Sequence, residues 1–73
     1  MSKVPRLRHR EIVRAFESAG WAAEEGTRHT LLSKAGNPHI LTVPRHPGDI
    51  AHGIVLSLIK TAGMTRQEFL DLL

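Results

Sequence analysis

The segment WAAEEGTRHTLLSKAGNPHILTV, residues 21–43, contains three short apolar runs separated by two turn sequences, and this pattern indicates the fold. We predict strands over 21–24, 29–34 and 39–43, and the last of these, HILTV, is β-branched and apolar. The intervening stretches, Glu25-Gly26-Thr27 and Ala35-Gly36-Asn37-Pro38, have the composition of tight turns. Short strands joined by tight turns predict an antiparallel three-stranded sheet.

Helical patterns lie on both sides of this segment. Upstream, apolar residues at helical spacing predict a helix from about Leu7 to Ala19 that ends at Gly20. Downstream, Asp49 is the predicted N-cap of a second helix, which ends at Gly63.

A last short helix is predicted after Thr65, because Thr65 and Glu68 have the spacing of a capping box. The full order is α-β-β-β-α with a short extra C-terminal helix, which is an α+β fold. Burial is simplest when both main helices cover one face of the sheet and the other face stays open. We expect residues 1–73 to form a single domain, since a chain of this length has room for only one core.

The composition excludes several classes of protein. The chain has no cysteine, so disulfides, thiolate metal sites and cysteine nucleophiles are excluded. No apolar run approaches the roughly 20 residues that span a bilayer, and the basic residues 1–10 lack the apolar core of a signal peptide. We therefore expect a cytoplasmic protein without membrane contact.

Positive charge is concentrated in the first part of the chain. The net charge is +3 and the pI is about 10.2. Residues 1–46 hold eight Lys and Arg against four acidic residues, whereas residues 47–73 hold two against three. A pI above about 9 in a small domain is typical of nucleic-acid binding, although a solvated basic surface has the same composition.

Three short motifs follow one another along the chain. Residues 26–29, GTRH, match a Gly-Ser/Thr-x-His run, and residues 43–48, VPRHPG, match a V-P-x-H-x-G segment. A third motif closes the second helix, with slightly different spacing from the family pattern, at Gly53, Ile59, Lys60, Ala62 and Gly63. Taken together over residues 6–70, the motifs resemble those of the HicA-like mRNA interferase toxins of type II toxin–antitoxin systems.

The resemblance implies a fold like the double-stranded-RNA-binding domain and an endoribonuclease that cleaves mRNA without a metal or cofactor. It also implies that His29 is the catalytic histidine and that a cognate HicB-like antitoxin protein covers it. Many family members place the histidine directly after Ser, where this chain has Arg28, and others have the longer spacing found here. A one-residue shift turns a strand side chain to the opposite face, and a bulge at the turn would restore the orientation.

The chemistry of RNA cleavage suits these residues. RNA carries its own nucleophile, the 2′-hydroxyl, so cleavage needs a base, an acid and positive charge near the phosphorus. Histidine side chains suit the proton transfers, because their unperturbed pKa of about 6.5 lies near physiological pH. Arg28 and Lys34 are candidate phosphate ligands, and the backbone amides of Gly26 and Thr27 are further candidate donors.

Arginines outside the first motif are the other candidate RNA-binding residues. We predict that Arg6, Arg10 and Arg14 on the first helix contact the sugar-phosphate backbone of RNA, and that Arg45 from the second motif does so as well. The same helix face is equally compatible with a solvated surface or with contact to an acidic antitoxin.

The remaining histidines leave the second proton-transfer group open. His39 and His46 flank the third strand and are both candidates, and His46 has the alternative role of orienting the turn at 44–49. No two of the five histidines have the i, i+4 spacing of a zinc enzyme, so no metal site is expected. Trp21 is expected to fill the core, which leaves no aromatic platform for base stacking.

Two other functions are compatible with the same residues. One is a non-catalytic RNA-binding module of the same fold, which would bind RNA without cleaving it. The other is an interaction domain whose basic face binds an acidic protein.

Overall fold

The computed structural model of the protein describes residues 3–73. Its elements follow one another as β1 (Leu7–Arg8), α1 (His9–Ser18), β2 (Ala22–Glu25), β3 (His29–Ser33), β4 (Leu41–Pro44), β5 (Asp49–Ile50), α2 (His52–Thr61) and α3 (Arg66–Leu70). Strands β2, β3 and β4 form an antiparallel sheet in chain order, and β1 pairs with β5. This arrangement confirms the predicted α+β fold, which is like the double-stranded-RNA-binding domain, and the extra C-terminal helix.

The register of the three-stranded sheet separates a covered face from an open one. Thr30 lies opposite Val43 and Leu32 lies opposite Leu41, and all four side chains are buried. Because strand side chains alternate, the other residues of β3 point away from this core and are exposed. We call the buried side the inner face and the exposed side the outer face.

Both main helices cover the inner face. The core joins Ile12 and Val13 of α1 to Val55 and Ile59 of α2, and each helix also contacts β4. The outer face is left open, as the sequence predicted.

Aromatic side chains attach α3 to this core. The ring of Phe16 lies 5.2 Å from that of Phe69 in α3 and meets Trp21 edge-on at 6.0 Å. Trp21 is only 4% exposed, which confirms its predicted place in the core.

The predicted start of each main helix needs correction. Helix α1 begins at His9 and not at Leu7, because the extended Leu7 and Arg8 pair with β5 and Leu7 is buried against Ile50. Asp49 is not a helix cap either. It lies in β5 opposite Arg8, and α2 begins after Ala51.

The ends of the strands differ from the prediction by one or two residues, whereas the C-terminal ends of the two main helices agree with it. The third strand begins at Leu41 rather than His39 and runs to Pro44. Gly20 ends α1 with a φ of 97°, a conformation that favours glycine. The Thr65 hydroxyl accepts a hydrogen bond from the Glu68 amide at 3.1 Å, which confirms the predicted capping box.

Candidate functional site at the β2–β3 hairpin

A tight hairpin joins β2 to β3 and carries the first motif. The Gly26 amide donates to the His29 carbonyl oxygen at 2.9 Å, which leaves Thr27 and Arg28 as the loop. A β-carbon on residue 26 would lie 2.7 Å from that oxygen, closer than any side chain tolerates. Gly26 is therefore required by the close approach of the two strands.

His29 is the first residue of β3, and its exposed side chain lies on the outer face opposite Pro44. Strand pairing is continuous from Ala22 with Ser33 to Glu25 with Thr30, so β2 and β3 have no bulge between these pairs. The two-residue loop and the pairing with β4 therefore place His29 on the outer face without a bulge.

A shallow groove lies on the outer side of this hairpin. We call it the hairpin groove, and it is lined by Glu24, Glu25, Gly26, Thr27, Arg28, His29 and Leu31. It brings together four residues that the sequence singled out, Gly26 through His29. The Arg45 amide also donates to the Arg28 carbonyl at 2.8 Å and ties the loop to the end of β4.

Glu24 is a residue of this groove that the sequence analysis missed. It lies opposite Leu31 on the outer face, and is thus the diagonal neighbour of His29 at about 7–8 Å between backbone positions. The length of the hairpin loop is the feature that could have revealed it, because that length fixes which carboxylate of β2 shares a face with His29.

Three of the predicted RNA-binding arginines lie on the other side of the sheet. Arg10, Arg14 and Arg45 line a second groove between α1 and the hairpin, together with His9, Val13, Glu17 and Glu25. We call this the helix groove. Arg45 forms an ion pair there with Glu25. The structure therefore brings these cations together in the helix groove, whereas His29 lines the hairpin groove.

Arg6 adds to this basic surface on the side of α1 that faces the C-terminus of the chain. It lines a neighbouring groove with Arg10 and Arg14, whose far wall is Leu72 and Leu73. The prediction that Arg6 lies on the first helix is wrong, because α1 begins only at His9 and Arg6 precedes β1. All three arginines are nevertheless exposed.

Lys34 is far from the hairpin. It follows the last residue of β3, five positions after His29, a separation of about 17 Å along a strand. Its side chain instead lies over the turn at Gly20.

The other histidines occupy different surroundings. His39 precedes β4 at the end of the sheet away from the hairpin, whereas His46 follows Arg45 at the hairpin end and is exposed. Over residues 3–73, no three His, Cys, Asp or Glu side chains cluster as metal ligands would. In the same part of the chain, no helix is both long and apolar enough to cross a membrane.

The fold and the hairpin groove define a small basic α+β domain with an exposed histidine at the tip of a β-hairpin. The family model described as HicA toxin of bacterial toxin-antitoxin matches residues 9–64. The chain therefore belongs to the HicA toxin family and is a toxin of a toxin–antitoxin system, which implies a cognate antitoxin as its partner. A search of curated proteins found no significant match.

Proposed function

We propose that this toxin is an endoribonuclease that cleaves mRNA without a metal or cofactor and uses His29 for proton transfer. The observation that supports this most is the position of His29, which is exposed beside Arg28 in a groove at the hairpin tip. A groove on an exposed hairpin is accessible to a polymer such as RNA. We also propose that residues 1–73 act as one HicA-like domain and that the reaction takes place in the cytoplasm.

In this mechanism the imidazole of His29 and one further group exchange protons with the 2′-hydroxyl and the leaving 5′-oxygen. Glu24 is our candidate for the further group, because it shares the outer face and the groove with His29. The Arg28 guanidinium and the backbone amides of Gly26 and Thr27 would hold the phosphate.

The cations outside this groove would bind other phosphates of the same RNA. Arg10, Arg14 and Arg45 line the helix groove, and Arg6, which precedes β1, lines the neighbouring groove with Arg10 and Arg14. Contacts of this kind position the RNA and do not read its sequence. Lys34 would contribute less to cleavage than the other cations, because it lies at the far end of β3.

We also propose that the antitoxin is HicB-like and covers the outer face. Two large exposed apolar side chains support this position for the antitoxin. They are Leu31 on the outer face, which is 40% exposed, and Ile40 just before β4, which is 60% exposed. A partner that buried them would cover His29 as well, because His29 and Leu31 are on the same face of β3.

A matched pair of variants tests the proposed activity in cells. Expression of the wild-type protein in a bacterial host should stop growth and degrade messages, and His29→Ala should abolish both effects. His39→Ala is the control, because it removes an exposed histidine at the opposite end of the sheet. A His29→Ala protein that accumulates and still degrades messages would overturn the assignment.

The separation of the two grooves favours one alternative. Because Arg10, Arg14 and Arg45 line the helix groove and not the hairpin groove, the chain could bind RNA through the helix groove without cleaving it. Such a binding module would show salt-sensitive RNA binding that His29→Ala leaves unchanged, and no cleavage products.

A further inference from the structure

Among the described residues, the only buried polar side chain in the core belongs to Thr30, the residue directly after His29. Thr30 is 0% exposed and points to the inner face between Glu25 and Val43. Its hydroxyl oxygen lies 2.6 Å from Nε2 of His9, a short hydrogen bond between residues 21 positions apart.

His9 is held in a fixed position by the packing of α1. It is the first residue of α1, whose side chains at Ile12, Val13 and Phe16 are buried in the core. The imidazole is half-buried, and it borders the helix groove. The bond therefore attaches the start of α1 to the start of β3 across the inner face.

This attachment bears directly on His29, because neighbouring strand side chains point to opposite faces. Pairing with β2 and β4 already sets which face of the sheet His29 occupies, and two further backbone hydrogen bonds hold the turn, from the Gly26 amide to the His29 carbonyl and from the Arg45 amide to the Arg28 carbonyl. All of these contacts lie within the sheet and its turns. The bond to His9 also connects this end of β3 to α1, and it thereby limits how far the start of β3, with His29 on it, can shift relative to the helix.

We propose that His9 and Thr30 act as a positioning pair that fixes His29 for RNA cleavage, a role that rests on the proposed function. Breaking the bond would leave a buried hydroxyl without a partner, which is unfavourable, so the start of β3 is held against α1. Thr30 is fully buried and cannot contact the RNA, and Nε2 of His9 is engaged by the Thr30 hydroxyl. Both act through the placement of the His29 imidazole.

The decisive variants change the hydroxyl and keep the shape. Thr30→Val retains the volume and branching of the side chain but removes the hydroxyl, whereas Thr30→Ser retains the hydroxyl. His9→Ala removes the other partner. Thr61→Val makes the same chemical change at an exposed position at the end of α2 and is the matched control.

We expect Thr30→Val and His9→Ala each to lower kcat for RNA cleavage by about 10- to 100-fold, because small misplacements of a catalytic group are costly. KM should change little in Thr30→Val, since Thr30 is fully buried. The double variant should be no slower than the slower single variant, since both remove the same interaction. Thr30→Ser should restore most of the rate, and Thr61→Val should match the wild type. Near-ultraviolet circular dichroism of Trp21 verifies that each variant is folded.

Nuclear magnetic resonance separates this pair from the activity itself. The ring and amide signals of His29 should shift in Thr30→Val and in His9→Ala, but not in Thr30→Ser or Thr61→Val. A folded Thr30→Val that retains the wild-type kcat overturns the positioning role. If the wild-type protein cleaves no RNA, the proposed function fails, and the His29 signals alone then decide whether the pair positions this residue. Unshifted signals would reject it.

Discussion

The two faces of β3 differ in nearly every property, although they belong to the same five residues. Thr30 and Leu32 face inward and are fully buried, whereas His29, Leu31 and Ser33 face outward and are exposed. The inner residues join the core beneath α1 and α2, and His29 lines the hairpin groove. In a domain this small, one strand serves both stability and the proposed chemistry, and the alternation of side chains keeps the two apart.

Substitutions at adjacent leucines should show the largest difference between the faces. We expect Leu32→Ala to lower the free energy of unfolding by about 2–5 kcal/mol, because it leaves a cavity in a close-packed core. Leu31→Ala should cost about 1 kcal/mol or less, since its side chain is already 40% exposed. Urea denaturation measures both values. Equal losses at the two positions would contradict the division between the faces.

Two neighbouring glutamates allow the same comparison for activity. Glu24 is on the outer face with His29, whereas Glu25 is on the inner side and pairs with Arg45. We expect Glu24→Gln to lower kcat by at least about 100-fold, the low end of the range for general acid–base groups. Glu25→Gln makes the same change in charge, and although Glu25 also lines the hairpin groove its carboxylate is paired with Arg45, so this variant should lower kcat far less than Glu24→Gln. A folded Glu24→Gln protein with normal kcat would exclude Glu24 as the second proton-transfer group.

The hairpin loop that orients His29 can be disturbed by one methyl group. Gly26→Ala would place a β-carbon 2.7 Å from the His29 carbonyl oxygen, so the hairpin must shift. We expect a loss of roughly 10- to 100-fold in kcat from that displacement. Gly53→Ala is the control, because a β-carbon there meets nothing within 4 Å. Single-turnover cleavage assays compare the two, and an active Gly26→Ala protein would show that the loop geometry does not matter.

The smallest effect should come from the helix groove, where one arginine is one of several. We expect Arg14→Gln to weaken RNA binding modestly and to reduce the slope of log affinity against log salt concentration by about 0.7. Lys60→Gln, which removes a cation from the last turn of α2, should leave the slope unchanged. Binding titrations at several salt concentrations give the slopes. Equal slopes for the two variants would remove Arg14 from the RNA interface.

Much of the fold could be predicted from the sequence, because its main elements have strong local patterns. The strand observed at 29–33 was predicted over 29–34 from its apolar centre and the turns around it, and the helix boundaries at Gly20 and Thr65 were predicted from capping residues. The β1–β5 pair was missed, since two-residue strands have no periodicity. Asp49 was misassigned because an acidic residue before an apolar helix resembles an N-cap, and only the pairing with Arg8 shows otherwise.

The candidate site was less predictable, because its composition depends on which residues share a face. The sequence identified Gly26 through His29 as one motif, and the hairpin keeps them together. It grouped Lys34 with them, but only the length of β3 shows how far away that residue lies. The inward bond of Thr30 to His9 joins positions 21 residues apart, which no local pattern indicates.

The chemistry of the RNA ends that the purified protein produces in the presence of EDTA distinguishes the possible reactions. If the 2′-hydroxyl is the nucleophile and His29 moves the protons, wild-type protein should yield fragments with 5′-hydroxyl ends and His29→Ala should yield none. Fragments with 5′-phosphate ends, or undiminished cleavage by a folded His29→Ala protein, would show that His29 does not act in this way.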